Sequence, residues 1–179
     1  TNCNFTRNIG IGENSNGGSI YVEGDDLNIT YADFKHGSAK DGSAIYIKGE
    51  NTNVLHSNFT EVGSNIHEGI DDETCGGSIY IEGHNAVIYD DNFKRNNAGS
   101  GGAIYIAGND ADISHSTFDF TNVTHAGSAI YISGNGTNIT HSSFAHAYAK
   151  DNGGAIYIGG HNTHITQSDF RFLNATHGG

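Results

Sequence analysis

An Ile-Tyr-Ile or Ile-Tyr-Val triplet returns six times along this chain, and fourteen residues after the first Ile of each triplet stands a Phe. The pairs are Ile20/Phe34, Ile45/Phe59, Ile79/Phe93, Ile104/Phe118, Ile130/Phe144 and Ile156/Phe170, with Phe5 alone ahead of them. The Ile-to-Phe spacing never changes, whereas the segment from each Phe to the next Ile varies. Units that hold such a spacing must lie in register on one another, which is the signature of a solenoid.

Side-chain alternation identifies the kind of solenoid. In Ile104-Tyr105-Ile106 the two Ile share one face and the Tyr takes the other, the period of a strand. A second short strand carries Ile29, Val54, Ile88, Ile113, Ile139 and Ile165, each five residues before its Phe, and a third is centred on the Phe. No segment supplies the 3.6-residue apolar period of a helix. Three short strands in a unit of roughly 25 residues predict an all-β chain, a parallel β-helix of triangular coils. Six full coils follow a partial N-terminal one, and the handedness rule for parallel crossovers makes the helix right-handed. Residues 1–179 read as a single β-helix domain with insertions near 9–16 and 62–75. In the second insertion, Ile66 and Ile70 stand in otherwise polar surroundings and suggest packing against a neighbouring surface.

Composition sharpens this picture. The 26 Gly suit a chain that turns a corner several times per coil, and the absence of Pro suits parallel strands that donate at every rung. No apolar run is long enough to span a membrane; with no initiator Met and no signal peptide, the chain reads as a processed or excised segment. A net charge of −12, with its eight basic residues scattered, argues against nucleic acid as a partner. The acidic groups Asp25-Asp26, Asp71-Asp72-Glu73 and Asp90-Asp91 offer carboxylates to Ca²⁺, but none has the spacing of a dedicated calcium loop. They are expected to be a solvated surface, and no cofactor or metal site is assigned.

Gly-Gly-Ala-Ile at 101–104 and 153–156, with Gly-Gly-Ser-Ile at 17–20 and 76–79, resembles the first signature of the chlamydial polymorphic outer-membrane proteins. Their second signature, Phe-x-x-Asn, is matched by Phe5-Thr-Arg-Asn8 and Phe93-Lys-Arg-Asn96 and is degraded at the other Phe. In its Gly-Gly-Ala-Ile-Tyr and Asn/Thr-rich coils the chain is also similar to the adhesin-like surface proteins of methanogenic archaea. The resemblance implies an extracellular or cell-surface adhesin or structural protein of archaeal type.

Four sets of residues are candidates for function. Tyr21, Tyr46, Tyr80, Tyr105, Tyr131 and Tyr157 should point outward as one row. Such a row can stack on itself, contact another protein or bind glycans. Asn-x-Thr triplets at Asn4, Asn28, Asn58, Asn122, Asn135, Asn138 and Asn174, without one Asn-x-Ser, are candidates for N-glycosylation. Cys3 and Cys75 sit on different coils, on the order of 14 Å apart along the axis, so a bridge between subunits is easier than an internal one; free thiols remain the other reading. Lastly, the chain opens close to Phe5 and closes on Gly178-Gly179 without a polar cap. Either it is a segment of a longer surface solenoid or copies stack head to tail, with lateral contacts through the Tyr row. An enzyme is not expected; the alternative is a β-helix that binds or degrades polysaccharide. Asp90, Asp91, His115 and His141 would then be the groups to consider.

Overall fold

The computed structural model describes residues 2–12, 14–63 and 73–178. Over them the chain is all-β and every strand pairs in parallel with the equivalent strand of the next coil, forming a parallel β-helix of about six turns. The first sheet runs from Ile20–Val22 to Ile156–Ile158, the second from Asn28–Thr30 to His164–Thr166, and the third from Asn4–Thr6 to Asp169–Arg171. Register is identical in all three: Ile104 pairs with Ile79 and Ile130, Ile113 with Ile88 and Ile139, and Phe118 with Phe93 and Phe144.

Identical residues therefore stack. The rings of Phe5, Phe34, Phe59, Phe93, Phe118, Phe144 and Phe170 lie face to face with centroids 4.6–4.8 Å apart, the spacing of neighbouring strands. In the central coils this column and the Ile columns beside it are fully buried. The core is one narrow cylinder that grows by one rung per coil.

The triangular coil needs correction. A fourth sheet of two-residue strands, Asn97–Ala98, Asn122–Val123, Tyr148–Ala149 and Asn174–Ala175, lies between the Phe strand and the next Gly corner. On earlier coils, among the described residues, bridges such as Ile9 to Ser38 and Gly63 to Asn97 mark this side. Corner chemistry also departs from expectation, because each full coil has four left-handed positions and glycine fills only one regularly. At Gly101 (φ +60°) an added Cβ would lie 2.3 Å from the Ile104 carbonyl oxygen, so glycine is required there. Asp26, Asn51, Asn85, Asp110 and Asn162 hold the second corner. The third has Tyr31, His56, Asp90, His115, His141 and Gln167, and the fourth Arg7, His36, Glu61, Arg95, Phe120, His146 and Phe172.

The insertion near 9–16 leaves from the fourth side, rejoins through the Asn16–Asp41 bridge and carries Ile11 93% exposed. The centre of the 62–75 insertion, with Ile66, Ile70, Asp71 and Asp72, lies outside the described residues, as does Gly179. Where that insertion departs, Asn96 is fully buried: its amide donates to the Phe59 carbonyl and its oxygen accepts from the Val62 N–H. The second Asn of a Phe-x-x-Asn signature thus closes the backbone of the coil beneath it. Among the described residues no helix is long and apolar enough to cross a membrane.

Candidate functional site

The six tyrosines form one column on the outer face of the first sheet, with centroids 4.7–5.4 Å apart and planes within 20° of parallel. Stacking along the axis covers both faces of each interior ring and leaves edges and hydroxyls outermost. The exposed stripe expected from alternation is therefore corrected: Tyr21 is 45% exposed, Tyr46 only 5%, and the other four are half-buried. Binding by sugar rings laid flat on interior tyrosines has no free face to use. Burial pushes the phenols of Tyr46, Tyr80, Tyr105 and Tyr131 up, Tyr46 further through its hydrogen bond to the Glu82 carboxylate, so these hydroxyls stay protonated.

Asp41 and Cys75 lie near this row and pair through a backbone bridge. Asp41 Oδ1 accepts the Cys75 N–H at 2.9 Å. Burial raises the Asp41 carboxyl and, reinforced by the Asp41 charge, pushes the Cys75 thiol up to about 12, which makes it a poor nucleophile. Cys3 is exposed on the first coil, and no disulfide joins it to Cys75.

All seven triplet asparagines are exposed, but they are not equivalent. Asn135 is held on both sides: its Nδ2 donates to Asn109 Oδ1 at 3.2 Å and its Oδ1 accepts the His161 N–H at 2.8 Å. Asn28 donates to the Asp26 carbonyl and accepts from Asn53 Nδ2. Asn122 instead lines a surface groove of about 330 Å³ with His36, Glu61, Arg95, Asn97 and Phe120. Glu61 there receives Arg95 at 3.3 Å and His36 Nδ1 at 3.1 Å.

The third corner brings together Asp90, His115 and His141, three of the residues singled out for acid–base work, though as a ladder along the axis. Tyr31 stacks on His56 at 5.0 Å, His56 Nδ1 bonds Asp90 at 2.8 Å, and His115 stacks on His141 at 4.8 Å. The acidic pairs serve the backbone and its neighbours: Asp25 accepts the Glu50 N–H and Asp26 the Asn51 amide. Among the described residues no group of three or more His, Cys, Asp or Glu is placed to hold a metal ion.

Asp91, expected from its place beside Asp90 to be solvated surface charge, lies instead in the interior. It is 2% exposed and stands in an inward column with Ala32, Ser57, Ser116, Ser142 and Ser168. Each polar side chain of that column accepts the N–H of the residue one coil earlier, as Ser116 Oγ does for Asp91 and Asp91 Oδ1 for Ser57, at 2.5 Å. The serine hydroxyls also donate to the carbonyl two residues back, whereas Asp91 Oδ2 has no partner. Burial raises the Asp91 carboxyl to about 8, so it holds its proton at neutral pH.

A second set went unremarked in the sequence. Phe120, His146 and Phe172 stack at 4.5 and 5.0 Å on the fourth corner, with Phe120 48% and Phe172 75% exposed. The available signal was that, Phe5 aside, these are the two Phe outside the fourteen-residue spacing. Comparison of the chain with protein-family models, with curated proteins and with solved structures finds no match.

Proposed function

We propose that this chain is an extracellular or cell-surface structural protein of adhesin type, either the subunit of a head-to-tail fibre or a segment of a longer surface solenoid. One observation carries the reading: identical residues of successive coils stack in a single register that any further coil of the same pattern continues. The last described coil leaves Ile158, Ile165 and Phe170 37–42% exposed, in the very columns that are fully buried two coils earlier. They line an apolar recess of about 380 Å³ with Leu173 and Ala155. At the other end Phe5 and Ile20 are only partly covered. A coil of the same pattern laid on this face continues the Phe and Ile columns at strand spacing and pairs the open backbone groups. Such a coil comes either from further repeats of the same protein or from a copy of this chain; in the second case the contact is heterologous and propagates unless its rotation closes a ring. The Gly-Gly-Ala-Ile motifs and their resemblance to surface-protein repeats support the location; the rigid ladder supports a scaffolding role.

Sedimentation of the 179-residue chain over a concentration series tests the assembly. The parent is expected to form species that lengthen with concentration, and Phe5→Arg, which puts an unpaired charge into the junction, is expected to shift them to monomer. A circular-dichroism melt of the variant separates lost assembly from lost folding. A parent that stays monomeric at high concentration, or a folded Phe5→Arg protein that assembles like the parent, defeats the head-to-tail fibre and leaves the segment of a longer solenoid.

A further inference from the structure

Seven rungs occupy the fourth corner, all left-handed, a backbone state that bulky apolar residues avoid. Five carry Arg7, His36, Glu61, Arg95 and His146, and none of these is followed two residues later by the Asn of an Asn-x-Thr triplet. The other two carry Phe120 and Phe172, and both are: Phe120-Thr121-Asn122-Val123-Thr124 and Phe172-Leu173-Asn174-Ala175-Thr176. Asn97 supplies an internal control, since it occupies the strand position of Asn122, begins no triplet, and has Arg95 in place of the Phe. Folding does not ask for Phe here, because exposure gives little hydrophobic return and φ near +55° is unfavourable. Stacking on His146 involves one face of Phe120; the ring also borders the groove that Asn122 lines.

We propose that Asn122, and by the same pattern Asn174, are N-glycosylation sites built into the fold, with the first pyranose of the Asn122 glycan seated in the groove on Phe120. This rests on the extracellular reading above and distinguishes Asn122 and Asn174 from the other five triplets. The Asn122 amide nitrogen bonds to the anomeric carbon of a saccharide carried on a polyprenyl pyrophosphate. The carbon–oxygen bond to phosphate breaks with its electron pair, the polyprenyl pyrophosphate leaves, and one amide proton passes to the transferase. Once attached, the C–H face of the ring covers Phe120, and its hydroxyls meet Glu61, Arg95 and Asn97. A groove near 330 Å³ is at the small end of the ligand-pocket range, about 300–1,000 Å³, and suits one or two sugar units.

The test is secretion of the whole 179-residue chain from a host with N-glycosylation, in four forms: parent, Phe120→Arg, Thr124→Val and the double variant. Arg is used because Arg95 already occupies an equivalent corner. Mass spectrometry is expected to find Asn122 occupied in the parent and in Phe120→Arg and empty in the two Thr124→Val proteins. The glycosylated parent should melt about 2–4 °C above its enzymatically deglycosylated form, a shift absent in Phe120→Arg. An empty Asn122 in the parent, or an equal glycan-dependent shift with and without Phe120, overturns the proposal. Native material carrying no glycan, with the cycle intact in the secreted protein, counts against the extracellular reading instead.

Discussion

At the scale of single residues, Asp91 shows how a solenoid column constrains chemistry. Its Oδ1 accepts the Ser57 N–H as a serine of this column would, its buried Oδ2 has no partner, and burial therefore favours the neutral carboxyl over the carboxylate. A folded-state pKa near 8 against an unfolded value near 3.9 means that the native state holds the proton more tightly. The stabilisation is fully present below about pH 4 and is lost as pH rises through about 8. Unfolding followed from pH 4 to 8 should show stability falling with pH. Asp91→Ser should remove that part of the slope and gain up to about 5 kcal/mol at the alkaline end. Parallel curves for the two proteins would mean that Asp91 is ionised and solvated. The sequence hid this group because Asp90 and Asp91 are adjacent, yet Asp90 turns the corner at φ +54° and points out while Asp91 points in. Laying the coils over one another, with Ser57, Ser116 and Ser142 in the same column, was the signal available.

At the scale of strands and columns, the energy lies in stacked rungs, and the interior differs from the ends. Phe118 is 1% exposed between Phe93 and Phe144, each 4.8 Å away, whereas Phe170 is 42% exposed with a ring on one side only. Phe118→Ala should cost about 3–5 kcal/mol in urea unfolding, since it removes a ring from a column that cannot collapse without moving two coils. Phe170→Ala should cost well under half of that in the monomer; equal costs would mean that the end coil is covered. These columns were legible because alternation and a fixed spacing both come from the core. The fourth sheet was not, since two residues carry no alternation. The corners were misjudged for a related reason. A left-handed residue there is held by ladder bonds on both sides, such as His115 N–H to Thr140 O, so Asp, His, Tyr or Phe can take a place where glycine was expected. The Tyr row was found by its period, but stacking, a property of neighbouring coils, decided what it exposes.

At the scale of the whole molecule, stability should be close to a sum over coils and the interfaces between them. Among the described residues each strand pairs only with its counterparts on the adjacent coils. Deleting residues 104–129 joins Ala103 to Ile130, which are followed by equivalent strands, and the Phe93 column passes directly to Phe144. The shortened chain should therefore keep its β-sheet circular dichroism and unfold cooperatively, with stability reduced by about one coil's share. Deleting 104–116 instead joins the first corner to the Phe strand, so every later side chain meets the wrong column and core Phe residues face Tyr and Ser. That chain should be unfolded or aggregated at room temperature. The comparison isolates register from size, because the smaller deletion does the greater damage only if in-register stacking, and not the amount of buried surface, specifies this fold. Two equally stable deletion proteins, or a whole-coil deletion that fails to fold, would show that the coils carry long-range contacts that no column provides.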